Sequence, residues 1–282
     1  MSQKSYDNSP TLYLIPTPIG NLDDITLRAI DTLKKVEVIF CEDTRITRQL
    51  LNHLGINKKL IASHKFNEEL NDEKLLSYLY DNKDVGLVTD RGTPIISDPG
   101  YELVKVAIKN NYNVVSLPGP TAFVPALTVS GISPQPFLFY GFLNNKNTKR
   151  EKELEQLKEY PFTIIFYEAP HRIIDTLNSI KKVLGNRNIC ISREISKKFE
   201  EIYRGTIEEI IEQMQDVKGE LVIVIEGNKE EKNYDNLSII EHVNLYIMNG
   251  NTKNDAIKKV AKDRGLSKSY VYKEYHRGDV WN

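Results

Sequence analysis

VGLVTDRGTPIISDPGY, residues 85–101, changes character several times within one short span. Val85, Leu87 and Val88 form a short apolar strand that ends in Thr89-Asp90. Arg91-Gly92-Thr93-Pro94 breaks it, because glycine and proline take backbone angles that a strand ladder does not use. After Ile95 and Ile96, Ser97-Asp98-Pro99-Gly100 reads as a helix start. Asp98 is a good N-cap there, and Pro99 suits the first helical position, where no N–H is needed. Glu102 adds a favourable charge to the first turn, and Leu103, Val106 and Ala107 continue at helical spacing. One strand thus delivers two consecutive Gly/Pro loops and a capped helix. Open α/β sheets bind ligands in loops at the carboxyl ends of their strands. A tight connection without chemistry is the plainer reading of one such loop; its repetition along the chain argues for a site.

Upstream, Thr11 to Ile15 reads as a buried strand followed by the loop Pro16-Thr17-Pro18-Ile19-Gly20-Asn21-Leu22. Asp23-Asp24 opens a helix with Leu27, Ile30 and Leu33 on one face. Val36 to Cys41 is a strand ending in Glu42-Asp43-Thr44-Arg45, with a helix to Leu54 behind it. Leu60 to Ser63 is a short strand. Downstream, Asn113 to Leu117 leads into Pro118-Gly119-Pro120-Thr121-Ala122. Strands alternating with helices specify a largely parallel sheet. A second unit starts near Pro134. It contains a strand over 137–142, a charged and mostly exposed helix over 148–160, and a strand over 162–167 ending in Glu168-Ala169-Pro170-His171-Arg172. Strands at 189–192, 201–204 and 221–226 complete it. We therefore expect a tail at 1–10, α/β domains at 11–133 and 134–227, and a polar linker at 228–236. A helical, helix-turn-helix-like tail follows at 237–282.

With 282 residues and 40% hydrophobic side chains, the chain can bury sizeable cores and is not globally disordered. Lys and Arg total 38 against 39 Asp and Glu, so nucleic-acid contact has to come from local patches. One such patch is the stretch from Asn251 to Asn282, with eight Lys and Arg against four Asp and Glu. Cys41 and Cys190 lie in apolar runs and read as buried free thiols of a reducing compartment. The N-terminus MSQKSYDNSP lacks an apolar signal segment. Residues 112–145 carry no charge, but five prolines rule out one spanning helix, so they read as a buried strand–loop–helix–strand. A soluble, cytoplasmic protein is expected, without membrane contact.

The chain has no G-x-G, no G-x-x-x-x-G-K and no G-x-S-x-G, and its histidines lack metal-ligand spacing. Nicotinamide redox chemistry, P-loop hydrolysis, triad hydrolysis and zinc chemistry drop from the front rank. What remains is a set of strand-end loops whose Gly and Pro residues let backbone groups approach a polar small molecule.

LYLIPTPIGNLDDITLRAI, CEDTR, TDRGTPIISDPGY, LPGPTA, FYEAPHR, SREISKKFEE and GELVIVIEG follow one another in the order of one family. On these motifs the chain resembles the ribosomal RNA small subunit methyltransferase I family, ribose 2′-O-methyltransferases of the tetrapyrrole methylase superfamily. The resemblance covers about Leu12 to Gly227, and the helical tail is also similar. It implies two α/β domains with S-adenosylmethionine in the cleft between them, a homodimer, and a cytidine in small-subunit (16S) ribosomal RNA as substrate. The donor site implied comprises Pro16, Thr17, Pro18 and Gly20; Asp90, Gly92, Thr93, Pro94 and Ser97; and Pro118, Gly119, Thr121 and Ala122.

Methyl transfer is an in-line displacement, so catalysis is chiefly positioning, with a base or acceptor for the hydroxyl proton. Glu168 and His171 are the candidates, with Glu42 behind them. Arg45, Arg172, Arg193 and Lys197 are candidates for RNA phosphates, as are Lys258, Lys259, Lys262 and Lys268. Ordinary pairing with Glu194, Glu200 or Glu201 is the alternative for Arg193 and Lys197. A tetrapyrrole-precursor methylase and a non-catalytic RNA-binding module are the competing functions. Two departures stand out. Arg91 replaces the family's usual small residue, and His64-Lys65-Phe66-Asn67 replaces a His-Glu-His-Asn-like run. Space in the Gly-Thr-Pro loop favours an Arg91 guanidinium turned outward, toward Asp90, Glu42 or Asp43, over one lying in the cleft.

Overall fold

The computed structural model describes residues 2–5, 7–63, 68–214, 217–229, 234 and 236–277, with only the backbone at 68–70. The departure at His64-Lys65-Phe66-Asn67 lies outside the described residues. Two compact units emerge, Met1–Asn228 and Lys229–Asn282. The break falls in the polar run expected to be a linker.

The first unit holds two five-stranded sheets. One comprises β1 (Thr11–Leu14), β2 (Val38–Cys41), β3 (Lys59–Ala62), β4 (Val85–Leu87) and β5 (Asn113–Ser116), in the order β3-β2-β4-β1-β5. Every pairing in it is parallel, as expected. Its three central strands, β2, β4 and β1, are buried throughout rather than alternating because helices cover both faces. Leu12, Phe40 and Leu87 pack with Leu75, Leu79 and Leu103 on one side; Ile15, Ile39 and Val88 pack with Leu33 and Leu51 on the other. These helical residues come from α1 (Leu27–Lys35), α2 (Thr44–His53), α3 (Glu68–Tyr80) and α4 (Tyr101–Lys109).

Two helix starts differ from expectation. Asp23-Asp24 belongs to a separate 3-10 turn, and Thr26 caps α1, its hydroxyl accepting from the Ala29 amide. That start leaves Leu27 exposed and gives the buried face to Ala29, Thr32 and Leu33. Likewise Asp98 is not an N-cap. α4 begins at Tyr101 behind Gly100, whose φ is 119°, and no side chain caps it. The reason lies just upstream. Ile95 and Ser97 adopt left-handed backbone, φ 77° and 67°, which a β-branched residue rarely takes, so the chain turns through Asp98 instead of coiling from it.

The second sheet comprises β6 (Phe137–Phe142), β7 (Thr163–Glu168), β8 (Asn188–Arg193), β9 (Glu201–Thr206) and β10 (Leu221–Ile225), ordered β6-β7-β10-β8-β9. Only β6 and β7 run parallel; the other pairings are antiparallel. One face is covered by α6 (Asn147–Leu157), α7 (Ile173–Leu184) and α8 (Ile207–Gln213). The other receives α5 (Phe123–Val129), where Ala126 and Leu127 meet Ile165, Cys190 and Val224. The expected boundary at 133–134 thus falls after a helix that already packs on the second sheet. Residues 112–145 have the expected element order but are not wholly buried: Val124, Phe137 and Phe142 are exposed, and β6 is an edge strand.

The second unit folds α9 (Ile239–Met248), α10 (Lys253–Asp263) and α11 (Lys268–Arg277) around Val243, Ile257, Val260 and Val271. Buried His242 stacks on Tyr234 and accepts at Nδ1 from Arg264 Nε, 3.1 Å away. Both cysteines are free and buried. Among the described residues no helix is long and apolar enough to cross a membrane.

Candidate active site

Four strand-end loops, separated by tens of residues in sequence, become neighbours because β2, β4, β1 and β5 lie side by side and point the same way. They are tied to one another. Thr17 and Gly92 exchange both backbone hydrogen bonds, at 2.9 and 3.0 Å. The buried Thr17 hydroxyl donates to Thr89 O, and the Thr93 hydroxyl donates to Pro120 O at 2.9 Å. A Cβ added to Gly119 would stand 2.5 Å from Pro16 Cβ, so the loops after β1 and β5 touch through a position only glycine can fill. Asp43 N–H donates to Asp90 Oδ1, fastening the loop after β4 to the start of α2.

Between these loops and the second sheet lies a cavity of about 330 Å3. Ile19, residues 90–93 and 96–98, Thr121 and Ala122 form one wall; Phe142, Tyr167, Glu168, Ile195 and residues 220–222 face them. An adjoining groove of about 510 Å3 shares Ile19, Thr121 and Ile195 with it and reaches Gly119 and Ser196. A further depression, at Thr11, Lys35 and Asp84, sits at the amino ends of β1 and β4, the end at which parallel sheets do not bind ligands. The strand-end cavity is therefore the candidate site.

Its electrostatics centre on Asp98. Burial pushes this carboxyl up to about 6; the Thr89 hydroxyl opposes the shift, and the Glu42 and Asp90 charges add to it. Across the cavity, burial raises the Tyr167 phenol, against hydrogen bonding by Thr121 and the backbone of Phe123 and Ala122. That contact links β7 to the loop after β5. Neither Asp98 nor Tyr167 stood among the residues expected to form the site. Asp98 lies in the decisive stretch but carries the signature of a helix cap, and Tyr167 ends an unremarkable apolar strand.

Residues 11–211 match the model of the Tetrapyrrole (Corrin/Porphyrin) Methylases. The chain is 46% identical over 284 residues to the Ribosomal RNA small subunit methyltransferase I of Bacillus subtilis (strain 168), covering 98% of this chain and 97% of that protein. It belongs to that family of tetrapyrrole methylases. The same-named protein of Halalkalibacterium halodurans is 45% identical, across 98% of this chain and 99% of its own. Two solved tetrapyrrole methylases share the fold. Uroporphyrin III C-methyl transferase from Thermus thermophilus aligns with a TM-score of 0.56 at 18% identity, over 77% of this chain and 97% of its own. A cobalt precorrin-4 methyltransferase aligns with a TM-score of 0.59 at 15% identity, over 80% and 98%.

The residues expected to hold the donor divide by position. Asp90, Gly92, Thr93, Ser97, Thr121 and Ala122 line the cavity, and Gly119 lines the adjoining groove. Pro16, Thr17, Pro18, Gly20, Pro94 and Pro118 line neither, and Ile19 is the first loop's contribution instead. Thr17 braces the loop after β4, Pro16 packs on Gly119, and Gly20 packs on Lys197.

The expected bases fare unevenly. Glu168 reaches the cavity wall, but its oxygens accept from Ala169 N at 2.7 Å, from the Thr176 hydroxyl at 2.6 Å and from the Arg172 guanidinium. Those donors leave a carboxylate that holds structure rather than one free to take a proton. His171 is exposed in a 3-10 turn, and the cavity lining does not include it. Glu42 stands behind the wall, 3.4 Å from the Thr89 hydroxyl.

Among the basic candidates, Arg172 is taken by Glu168, Arg193 by Glu201 and the Lys218 carbonyl, and Lys197 by Glu194 and Glu220. For the last two the alternative pairing is the one observed. Arg45 is exposed beside Asp43, whose carboxyl it holds down to about 2. Lys258, Lys259, Lys262 and Lys268 are all exposed, Lys258 beside Asp255 and Lys259 donating to Asn251. Arg91 does not turn away toward Asp90, Glu42 or Asp43 as expected: it pairs with Glu220, ahead of β10, so that the half-exposed pair bridges the two walls at the cavity rim. Glu220 belongs to the second sheet's side of the cavity, which no reading of the first sheet alone foretells.

Proposed function

We propose that this chain transfers a methyl group from S-adenosylmethionine to the ribose 2′-oxygen of a cytidine in small-subunit ribosomal RNA. The observation carrying methylation of small-subunit ribosomal RNA is identity of 45–46% to relatives named Ribosomal RNA small subunit methyltransferase I, over nearly the whole of both chains; the cytidine and its 2′-oxygen rest on the resemblance of the ordered motifs. The cavity supports it. Ile19, Ile96, Ile195 and Val222 offer apolar walls to an adenosine-sized body, while Asp90 presents negative charge that suits a sulfonium cation. When bound, the donor supplies a methyl group activated by that positive charge.

The protein's own part is positioning. Loops tied by Thr17, Thr93 and Gly119 hold their backbone rigid, so little reorganisation is needed to align an incoming oxygen. Walls supplied by both sheets exclude water. RNA contact falls to Arg45 and the exposed lysines of α10 and α11, which neutralise phosphates without reading sequence. A cytoplasmic homodimer goes with this reading.

The test is a pair of measurements. Calorimetric titration with S-adenosylmethionine should show saturable binding; its absence would leave an RNA-binding module. Purified small subunits should gain one ribose methyl group, and a tetrapyrrole precursor none; the reverse pattern would hand the chain to the porphyrinoid branch.

A further inference from the structure

Four carboxylates reach the cavity, Asp90, Asp98, Glu168 and Glu220, and three are engaged. Asp90 accepts from the Asp43 amide, Glu168 holds Arg172, Ala169 and Thr176, and Glu220 pairs with Arg91 and Lys197 at the rim. Asp98 differs: no cation pairs with it among the described residues, and its hydrogen-bond partner is the Thr89 hydroxyl. That hydroxyl also lies 3.4 Å from Glu42 Oε2. A hydroxyl has one proton to donate, so it cannot satisfy both carboxylates at once.

We propose that Asp98, on the cavity wall opposite Tyr167, takes the proton of the ribose hydroxyl as that oxygen is methylated; this rests on the function proposed above. The step balances. The oxygen–hydrogen bond breaks toward an Asp98 oxygen, the oxygen–carbon bond forms, and the carbon–sulfur electron pair stays with sulfur as a neutral thioether. Asp98 then releases its proton to water. The surroundings suit the task. Glu42 and Asp90 face Asp98 from the first sheet, and Tyr167 faces it from β7. Arg91 and Glu220 neutralise each other at the rim, as do Glu168 and Arg172 on the far wall. Burial and the two like charges set Asp98 at about 6, so it is ionised at neutral pH yet basic enough to accept a proton in the transition state.

The experiment is single-turnover methylation of small subunits from pH 5 to 8. Wild type should show an acid limb with an apparent pKa near 6, the rate rising as Asp98 loses its proton. Asp98→Asn should bind S-adenosylmethionine within about threefold of wild type by calorimetry, yet lose on the order of 100-fold or more in rate, with the limb gone. Retention of the rate within threefold, with the limb in place, overturns the proposal. Glu42→Gln supplies a second readout that does not depend on the first variant folding. Removing the neighbouring charge should move the limb to lower pH; a limb that stays in place also overturns it. If wild type methylates no ribose at all, the proposed function fails instead. Asp98 is then read by carboxyl 13C titration of the donor-free protein, where a midpoint at the ordinary aspartate value would overturn its perturbed state separately.

Discussion

Glu168 and Arg172 form the most enclosed ion pair described in the first unit, with side-chain exposures of 1% and 17%. Breaking a buried pair by removing one partner costs more than the pair itself contributes, because the other charge stays desolvated. Glu168→Gln should therefore lower unfolding stability by about 3 kcal/mol, read as a fall in the urea midpoint at unchanged slope. An unchanged midpoint would make Glu168 a candidate base again. Arg91 poses the opposite case. Its pair with Glu220 is about half exposed on both sides, and exposed pairs contribute roughly 0–1 kcal/mol. Arg91→Ala should leave stability nearly unchanged and donor affinity within about threefold. A tenfold change in affinity, about 1.4 kcal/mol in either direction, would place the guanidinium inside the site.

At the scale of elements, the loops act as one braced unit. Gly119→Ala is the sharpest probe, since its Cβ would collide with Pro16 Cβ and the proline ring cannot swing aside. The expected outcome is donor affinity reduced on the order of tenfold by calorimetry, because the loops are pushed apart while every donor-binding group is retained; ordinary affinity would mean the two loops move independently. The elements themselves were largely legible: Thr11–Leu14, Val38–Cys41 and Asn113–Ser116 read as apolar runs closed by Gly/Pro loops. Helix starts were less so. Asp98-Pro99 carries good capping chemistry, yet Ile95 and Ser97 turn the backbone first, and positive φ at such residues leaves no local signal.

For the whole molecule, the charge balance hides where RNA would be held. If Lys258, Lys259, Lys262 and Lys268 meet phosphates, replacing all four by alanine in the full chain should weaken subunit binding. It should also flatten the dependence of log affinity on log salt, by about 0.7 for each single-stranded phosphate left without its lysine. Donor affinity should not change. An unaltered salt slope would make α10 and α11 a solvated cap around their own core of Ile257, Val260 and Val271.

The sequence by itself determined the alternation of strands and helices, the parallel first sheet and the set of Gly/Pro loops. These follow from local periodicity and from residues whose backbone preferences travel with them. It also carried the family, through seven ordered motifs. Only the tertiary structure decided that β4 inserts between β2 and β1, which makes four distant loops adjacent, and that α5 packs on the second sheet. The same holds for side-chain roles. Glu168 and Asp98 are both carboxylates beside a Gly/Pro loop in sequence. The fold gives one an arginine and two more donors, and gives the other one shared hydroxyl and two like charges. A carboxylate's chemistry is set by what surrounds it, and those neighbours come from strands and loops far apart in the chain.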